Sequence, residues 1–179
     1  NEWRAYEDWP LAEATPTPFY FHSGGNANTL LGDGTLSTTV PTDEPHDTYD
    51  YDPADPVVAV WRIDDGPVDD RIPSTRRDVL CYTTPVLTEP VEAIGRAEVV
   101  LYASSSAKDT DWHVRLCDVH PDGSARFLAH GMLRARFRET FEEPRYLKPG
   151  EVYRFEFGLD AVGIRFLPGH AIRVEVTSS

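Results

Sequence analysis

Cysteine is almost absent from this 179-residue chain. Its two cysteines, Cys81 and Cys117, lack the paired C-x-x-C spacing of a zinc site. Both lie in strand-like runs, Val79–Tyr82 and Val114–Val119, and read as buried free thiols, since a chain this long can hold its core without a disulfide. A bridge would require the two strands to be neighbours. No apolar run approaches the roughly 20 residues of a membrane span. Basic residues are also scarce, 17 against 30 acidic ones, for a formal charge of −13. Nucleic acid and anionic membranes demand the opposite balance, because Lys and Arg must displace counterions from phosphate, so neither is an expected partner. Missing too is Gly-x-Ser-x-Gly, the sharp strand-to-helix turn on which an α/β-hydrolase exposes its serine beside backbone donors. Ser23 and Ser104–Ser106 come nearest, and neither precedes a helical pattern. No catalytic residue, cofactor or metal is therefore expected.

Residues that could carry chemistry each have a plainer reading. The histidines, His22, His46, His113, His120, His130 and His170, show no metal-binding spacing on a helix and read as turn or strand residues. Asp43, Glu44, Asp47, Asp50, Asp52 and Asp55 supply oxygen for a hard cation, yet lack the Asp-x-Asp-x-Asp-Gly order of a calcium loop. A solvated acidic loop is the expectation. Asp109 and Asp111 read as turn formers that bond their own backbone. Arg134, Arg136 and Arg138 recur at period two and are expected on one strand face, paired across strands with Glu156 or Glu175. Trp3, Trp9, Trp61 and Trp112 could stack on a sugar, but in a domain of this size they read as core or interface anchors.

Apolar residues make up 40% of the chain, enough to bury the core of one domain, 1–179. Up to about Arg77, Pro and Gly interrupt every short apolar run, which excludes long helices and leaves loops carrying short strands, such as Phe19–His22 and Pro56–Trp61. The back half alternates with period two, as in Tyr153, Phe155, Phe157 and Leu159, or Ala97, Val99, Leu101 and Ala103. The same pattern covers Leu133, Ala135 and Phe137, then Ile172, Val174 and Val176. Turns separate these runs at Pro121-Asp122-Gly123, Lys148–Glu151 and Leu167–His170. Closely spaced strands without 3.6-residue periodicity predict an all-β fold, an antiparallel β-sandwich of jelly-roll type, with the galactose-binding domains as an analogue. Phe155, Phe157, Leu133, Phe137, Val99, Leu101, Ile172 and Val174 are the predicted core.

Several stretches together resemble a known family. Asp109–Ser124 with Leu133–Thr140, Asn1–Arg4 with Asp8–Pro10, Pro18–Phe21, Gly34–Ser37, Thr48–Pro56, Arg77–Thr83 and Pro168–His170 are similar to the C-terminal β-sandwich of the cocaine esterase and X-Pro dipeptidyl-peptidase type of serine hydrolase, the CocE/NonD family. The resemblance implies a non-catalytic jelly roll that braces a separate α/β-hydrolase domain of the same polypeptide and helps wall its substrate cleft, with the Ser, His and Asp triad lying in that other domain. It further implies that residues 1–15 link the two domains, that Val57–Asp69 lies nearest the cleft, and that a closing strand follows Ser179. The resemblance implies an acyl esterase or X-Pro dipeptidyl-peptidase as parent, and a bacterial cytoplasm is the expected location. Trp3, Trp9 and Trp61 are the expected cleft-facing or interface residues, and the edge of Ile172–Ser179 is expected to stay open and to support weak homodimers. A carbohydrate-binding module is the alternative, because fold does not decide function.

Overall fold

The computed structural model describes residues 5–9, 11–58, 69, 71 and 73–179. Its strands are β1 (Tyr20–His22), β2 (Thr35–Ser37), β3 (Leu80–Thr83), β4 (Val91–Ala103), β5 (Asp111–Val119), β6 (Ala125–Arg134), β7 (Tyr153–Phe166) and β8 (Ala171–Thr177), with single 3-10 turns at Pro73–Thr75 and Ala135–Phe137. One sheet runs β1-β2-β3-β8-β5-β6 and the other pairs β4 with β7. Every pairing is antiparallel except β2 with β3. The fold is the all-β antiparallel sandwich that the period-two pattern predicts.

The inner faces carry the expected alternation. Trp112, Val114 and Leu116 of β5 and Ile172, Val174 and Val176 of β8 turn toward β4 and β7, where Val99, Phe155, Leu159 and Phe166 meet them. Of the predicted core, Val99, Leu133, Phe155 and Ile172 are buried, while Leu101, Phe137, Phe157 and Val174 are only partly so. The cause for Phe137 is local: β6 ends at Arg134 and the chain turns through a 3-10 segment, so Arg134, Arg136 and Arg138 share no strand face. In β7 the alternation changes phase. A register shift between Arg96 and Glu98 of β4 sets two β7 residues against one, and the inward positions pass from Phe155, Phe157 and Leu159 to Val162, Ile164 and Phe166.

Strand β8 lies between β3 and β5, hydrogen-bonded on both sides, so the expected open edge at Ile172–Ser179 does not exist. The alternating pattern marks a strand but not its neighbours, which is why the misplacement was invisible in sequence. The same placement forbids a bridge between the cysteines. Cys81 on β3 and Cys117 on β5 are separated by β8, thus by two strand spacings or about 9–10 Å, beyond the ~7 Å reach of a disulfide. Both are buried thiols outside any disulfide.

The sandwich closes along one side. Gly131 of β6 meets β7 so closely that a Cβ there would lie 2.5 Å from the Gly158 carbonyl oxygen, and the His130 amide donates to Asp160 Oδ2 at 3.2 Å. At the front, residues 27–34 lie along β3. Cys81 N donates to Ala27 O at 2.8 Å and Thr29 N to Val79 O at 2.9 Å. Gly34 is required by this contact, since a Cβ would stand 2.1 Å from Cys81 O.

Candidate interdomain surface

The opposite side of the sandwich stays open. Strand β4 pairs only with β7 among the described residues, leaving the outer edge of a 13-residue strand without a partner. Between that edge and the front segments runs a cleft of ≈ 2920 Å³ that reaches into the space between the sheets. Its lining combines polar groups of the front segments and of β4, such as Glu44, Asp47, Asp50 and Arg96, with apolar side chains of both sheets, and at its floor lie the buried Leu36, Val114 and Phe166. Around its mouth Phe19, Val40, Val100, Tyr102 and Val152 expose apolar surface, Tyr102 to 69%. An unpaired edge beside an apolar cleft is a surface built to be covered.

The tryptophans divide. Trp112, which carries the β5 end of the core, is buried against Phe155, ring centroids 5.5 Å apart. Trp9 is 51% exposed. Trp3 and Trp61 lie outside the described residues, and most of Val57–Asp69 lies there too.

The acidic segment 43–55 holds the front together. Asp47 accepts three hydrogen bonds, from Ser23 Oγ at 2.6 Å, Ala27 N at 2.7 Å and Tyr82 Oη at 2.8 Å. Burial pushes the Tyr82 phenol well up, and its bond to Asp47 adds to the shift. Tyr49, buried and bonded to Ser178 Oγ at 2.8 Å, is pushed up to about 12, mainly by burial. Glu44 bonds His22 Nδ1 at 2.7 Å, which raises the imidazole and lowers the carboxylate. Asp55 pairs with Arg76 at 3.2 Å. Ser23 bonds Asp47, and Ser105 Oγ accepts from Ala107 N at 3.1 Å, so both shape their own loops.

The basic row finds partners other than those expected. Arg134 makes a two-pronged pair with Asp111, both bonds 2.9 Å, and Arg136 approaches Asp109 at 3.5 Å. Arg138 pairs with Glu139 and stacks 4.4 Å from the Tyr153 ring centroid. Asp109 and Asp111 thus do more than form a turn. Glu156 instead meets Arg154, and Glu175 meets Arg115 at 3.1 Å on the outer face of the larger sheet, where Ser74 Oγ also donates to it. Pairing of β5 with β6 sets Arg134 beside Asp111 at the start of β5 and Arg136 beside Asp109 just before it, a proximity visible only once the two strands are paired, whereas Glu139 is the chain neighbour of Arg138.

Pairing also gathers histidines. His113 and His130 stand 3.1 Å apart, Nδ1 to Nε2, across β5 and β6. Burial lowers both imidazoles below the usual 6.5, and for His113 the neighbouring His130 lowers it further. At the other end of β5, Asp118, His120 and His170 converge.

Residues 1–179 match the family described as the X-Pro dipeptidyl-peptidase C-terminal non-catalytic domain. The chain belongs to that family. The chain is 48% identical to the cocaine esterase of Rhodococcus sp. (strain MB1 Bresler) over 185 residues, covering 100% of the chain and 32% of that protein. Among solved structures it is similar to an α-amino acid ester hydrolase, with a TM-score of 0.84 at 31% identity over 100% of this chain and 32% of the other. An aminopeptidase from the marine sediment archaeon Thaumarchaeota archaeon aligns with a TM-score of 0.79 at 30% identity, over 100% and 31% of the two chains. The chain therefore spans about a third of the length of the relatives it matches. Among the described residues, no helix is long and apolar enough to cross a membrane.

Proposed function

We propose that this non-catalytic domain braces the α/β-hydrolase domain of a longer acyl esterase or X-Pro dipeptidyl-peptidase-like polypeptide, helping to wall that domain's substrate cleft. The observation that carries the reading is the open side of the sandwich, where the β4 edge and the apolar cleft face solvent. Other residues of the same polypeptide cover this side, a closing strand on β4 among them, and the relatives' length, three times that of this chain, supplies them. Residues 1–15 act as the linker, and exposed Trp9 anchors it to the catalytic domain. An unpaired strand edge flanked by exposed Val100, Tyr102 and Val152 favours a covered interface over a carbohydrate site, which needs no open backbone edge. A reducing bacterial cytoplasm suits two cysteines that form no disulfide.

Hydrogen exchange tests the proposal. The β4 amides that do not bond β7 should exchange rapidly in this chain alone and slowly in the full-length hydrolase. Equal rates in both would overturn it. Without its cover, the chain alone should associate weakly through β4, the edge that takes over the role expected of β8.

A further inference from the structure

The two turns at one end of the larger sheet carry a cluster outside the open cleft. Asp118 is the penultimate residue of β5, His120 opens the turn that follows it, and His170 ends the Leu167–His170 turn into β8. Backbone bonds hold all three in place. Asp118 pairs with Ile172 in the sheet, His120 N donates to Ser124 O at 2.8 Å, and Leu87 N donates to His170 O at 2.8 Å. The turns also touch, since a Cβ on Gly169 would lie 3.5 Å from Pro121 Cγ.

Side chains from these three positions converge. Asp118 Oδ1 accepts from His170 Nδ1 at 2.8 Å, and its other oxygen, Oδ2, lies 3.4 Å from His120 Nε2. The two imidazoles stand 4.4 Å apart, centroid to centroid, and one donor atom from each of the three residues falls within 4.8 Å of the others. His120 Nε2 is shielded from solvent and makes no hydrogen bond. Zinc holds nitrogen and oxygen ligands at about 2.0–2.1 Å, so neighbouring ligands of a tetrahedral ion sit about 3.3 Å apart. The 3.4 Å gap between Asp118 and His120 already has that width. No separation among the three exceeds 4.8 Å, so movement of at most about 1.5 Å brings each of them to that width.

We propose that Asp118, His120 and His170 form a site for one divalent first-row transition ion of the zinc type, with a fourth position left to water. Two imidazoles and a carboxylate are the donor set such ions prefer, whereas calcium and magnesium take oxygen alone. The ion would tie the β5–β6 turn to the β7–β8 turn and give His120 Nε2 the partner it lacks. Binding requires neutral imidazoles, so any proton on either ring is released as the ion enters.

The test titrates Zn²⁺ into the metal-stripped chain by calorimetry and follows the melting temperature. Wild type should bind one saturable equivalent and melt higher with Zn²⁺ present. His120→Ala should weaken binding by at least the roughly 10–100-fold that losing even an outer-shell partner costs, and should abolish the thermal shift. His46→Ala and Cys117→Ser, outside the cluster, should bind as wild type does. A far-UV spectrum of metal-free His120→Ala matching wild type would show that the variant folds. His170→Ala gives an independent reading from the other turn. Absence of a saturable equivalent, or equal binding by wild type and His120→Ala, would reduce the cluster to a carboxylate–imidazole pair and overturn the proposal.

Discussion

Single side chains decide how the Pro- and Gly-rich front attaches to the sheets. Asp47 is the clearest case, because one carboxylate serves a loop hydroxyl, a buried loop amide and a buried phenol. Asp47→Ala should cost about 2–6 kcal/mol, given about 1–3 kcal/mol for each buried donor left unpaired, here Ala27 N and Tyr82 Oη. Urea unfolding followed by tryptophan fluorescence checks it, and a loss within error would demote Asp47 to a surface acid. The His113 and His130 pair makes a second prediction at this scale. Their folded values lie below the usual 6.5, so below that pH the unfolded chain binds more protons than the folded one. Stability should therefore fall as pH drops from about 6.5 through the lowered folded values, and level off beneath them. The His22–Glu44 pair contributes in two ways. The raised His22 adds stability that is lost as pH rises past its folded value, and the lowered Glu44 adds stability that is lost in acid. Comparing wild type with His113→Gln/His130→Gln isolates the first pair. The double variant should show a shallower loss of stability between neutral pH and mild acid.

Among the elements, the sandwich depends on one closed seam and one open one. The closed seam joins β6 to β7 through Gly131, where even a methyl group would meet the Gly158 carbonyl oxygen and Leu159 Cδ2, at 2.5 and 2.6 Å. Gly131→Ala should destabilise by about 1–3 kcal/mol, the usual cost of overpacking, because one of the colliding atoms is backbone and cannot rotate away. A thermal midpoint equal to that of wild type would show that the seam yields. Gly163, on the facing strand β7, has no atom within 4 Å of where its own Cβ would stand, so Gly163→Ala separates crowding from the general effect of replacing glycine in a strand.

For the whole molecule, the unpaired β4 edge governs behaviour in solution. Exposed Val100 and Tyr102 lie on that strand, and charge is the standard device that keeps an edge from pairing. Sedimentation velocity should find concentration-dependent association of this chain, reduced in Val100→Lys/Tyr102→Lys and unaffected by Met132→Lys, an equally exposed apolar position on β6. Identical profiles for all three proteins would remove β4 from the interface. The chain should also hydrolyse p-nitrophenyl acetate no faster than buffer, since it contains no Gly-x-Ser-x-Gly turn. Turnover that disappears with one Ser→Ala change would defeat that expectation.

By itself the sequence determined the fold class and the family. Alternation every second residue in Tyr153–Leu159 and Ile172–Val176 has only one inexpensive solution, a strand with one buried face, and Pro and Gly through the front exclude helices. Which strands become neighbours depended on contacts between residues far apart in sequence. That choice put β8 in the centre, left the edge of β4 open, kept Cys81 from Cys117 and aligned Arg134 with Asp111. The 3-10 turn after Arg134 and the phase change in β7 were hidden for a related reason, since each is set by what the strand meets rather than by its own pattern. Histidines scattered from position 113 to 170 carry no spacing signal, because a ligand cluster on adjacent turns of a sheet is defined by pairing register. Only the tertiary structure could bring Asp118, His120 and His170 within 4.8 Å.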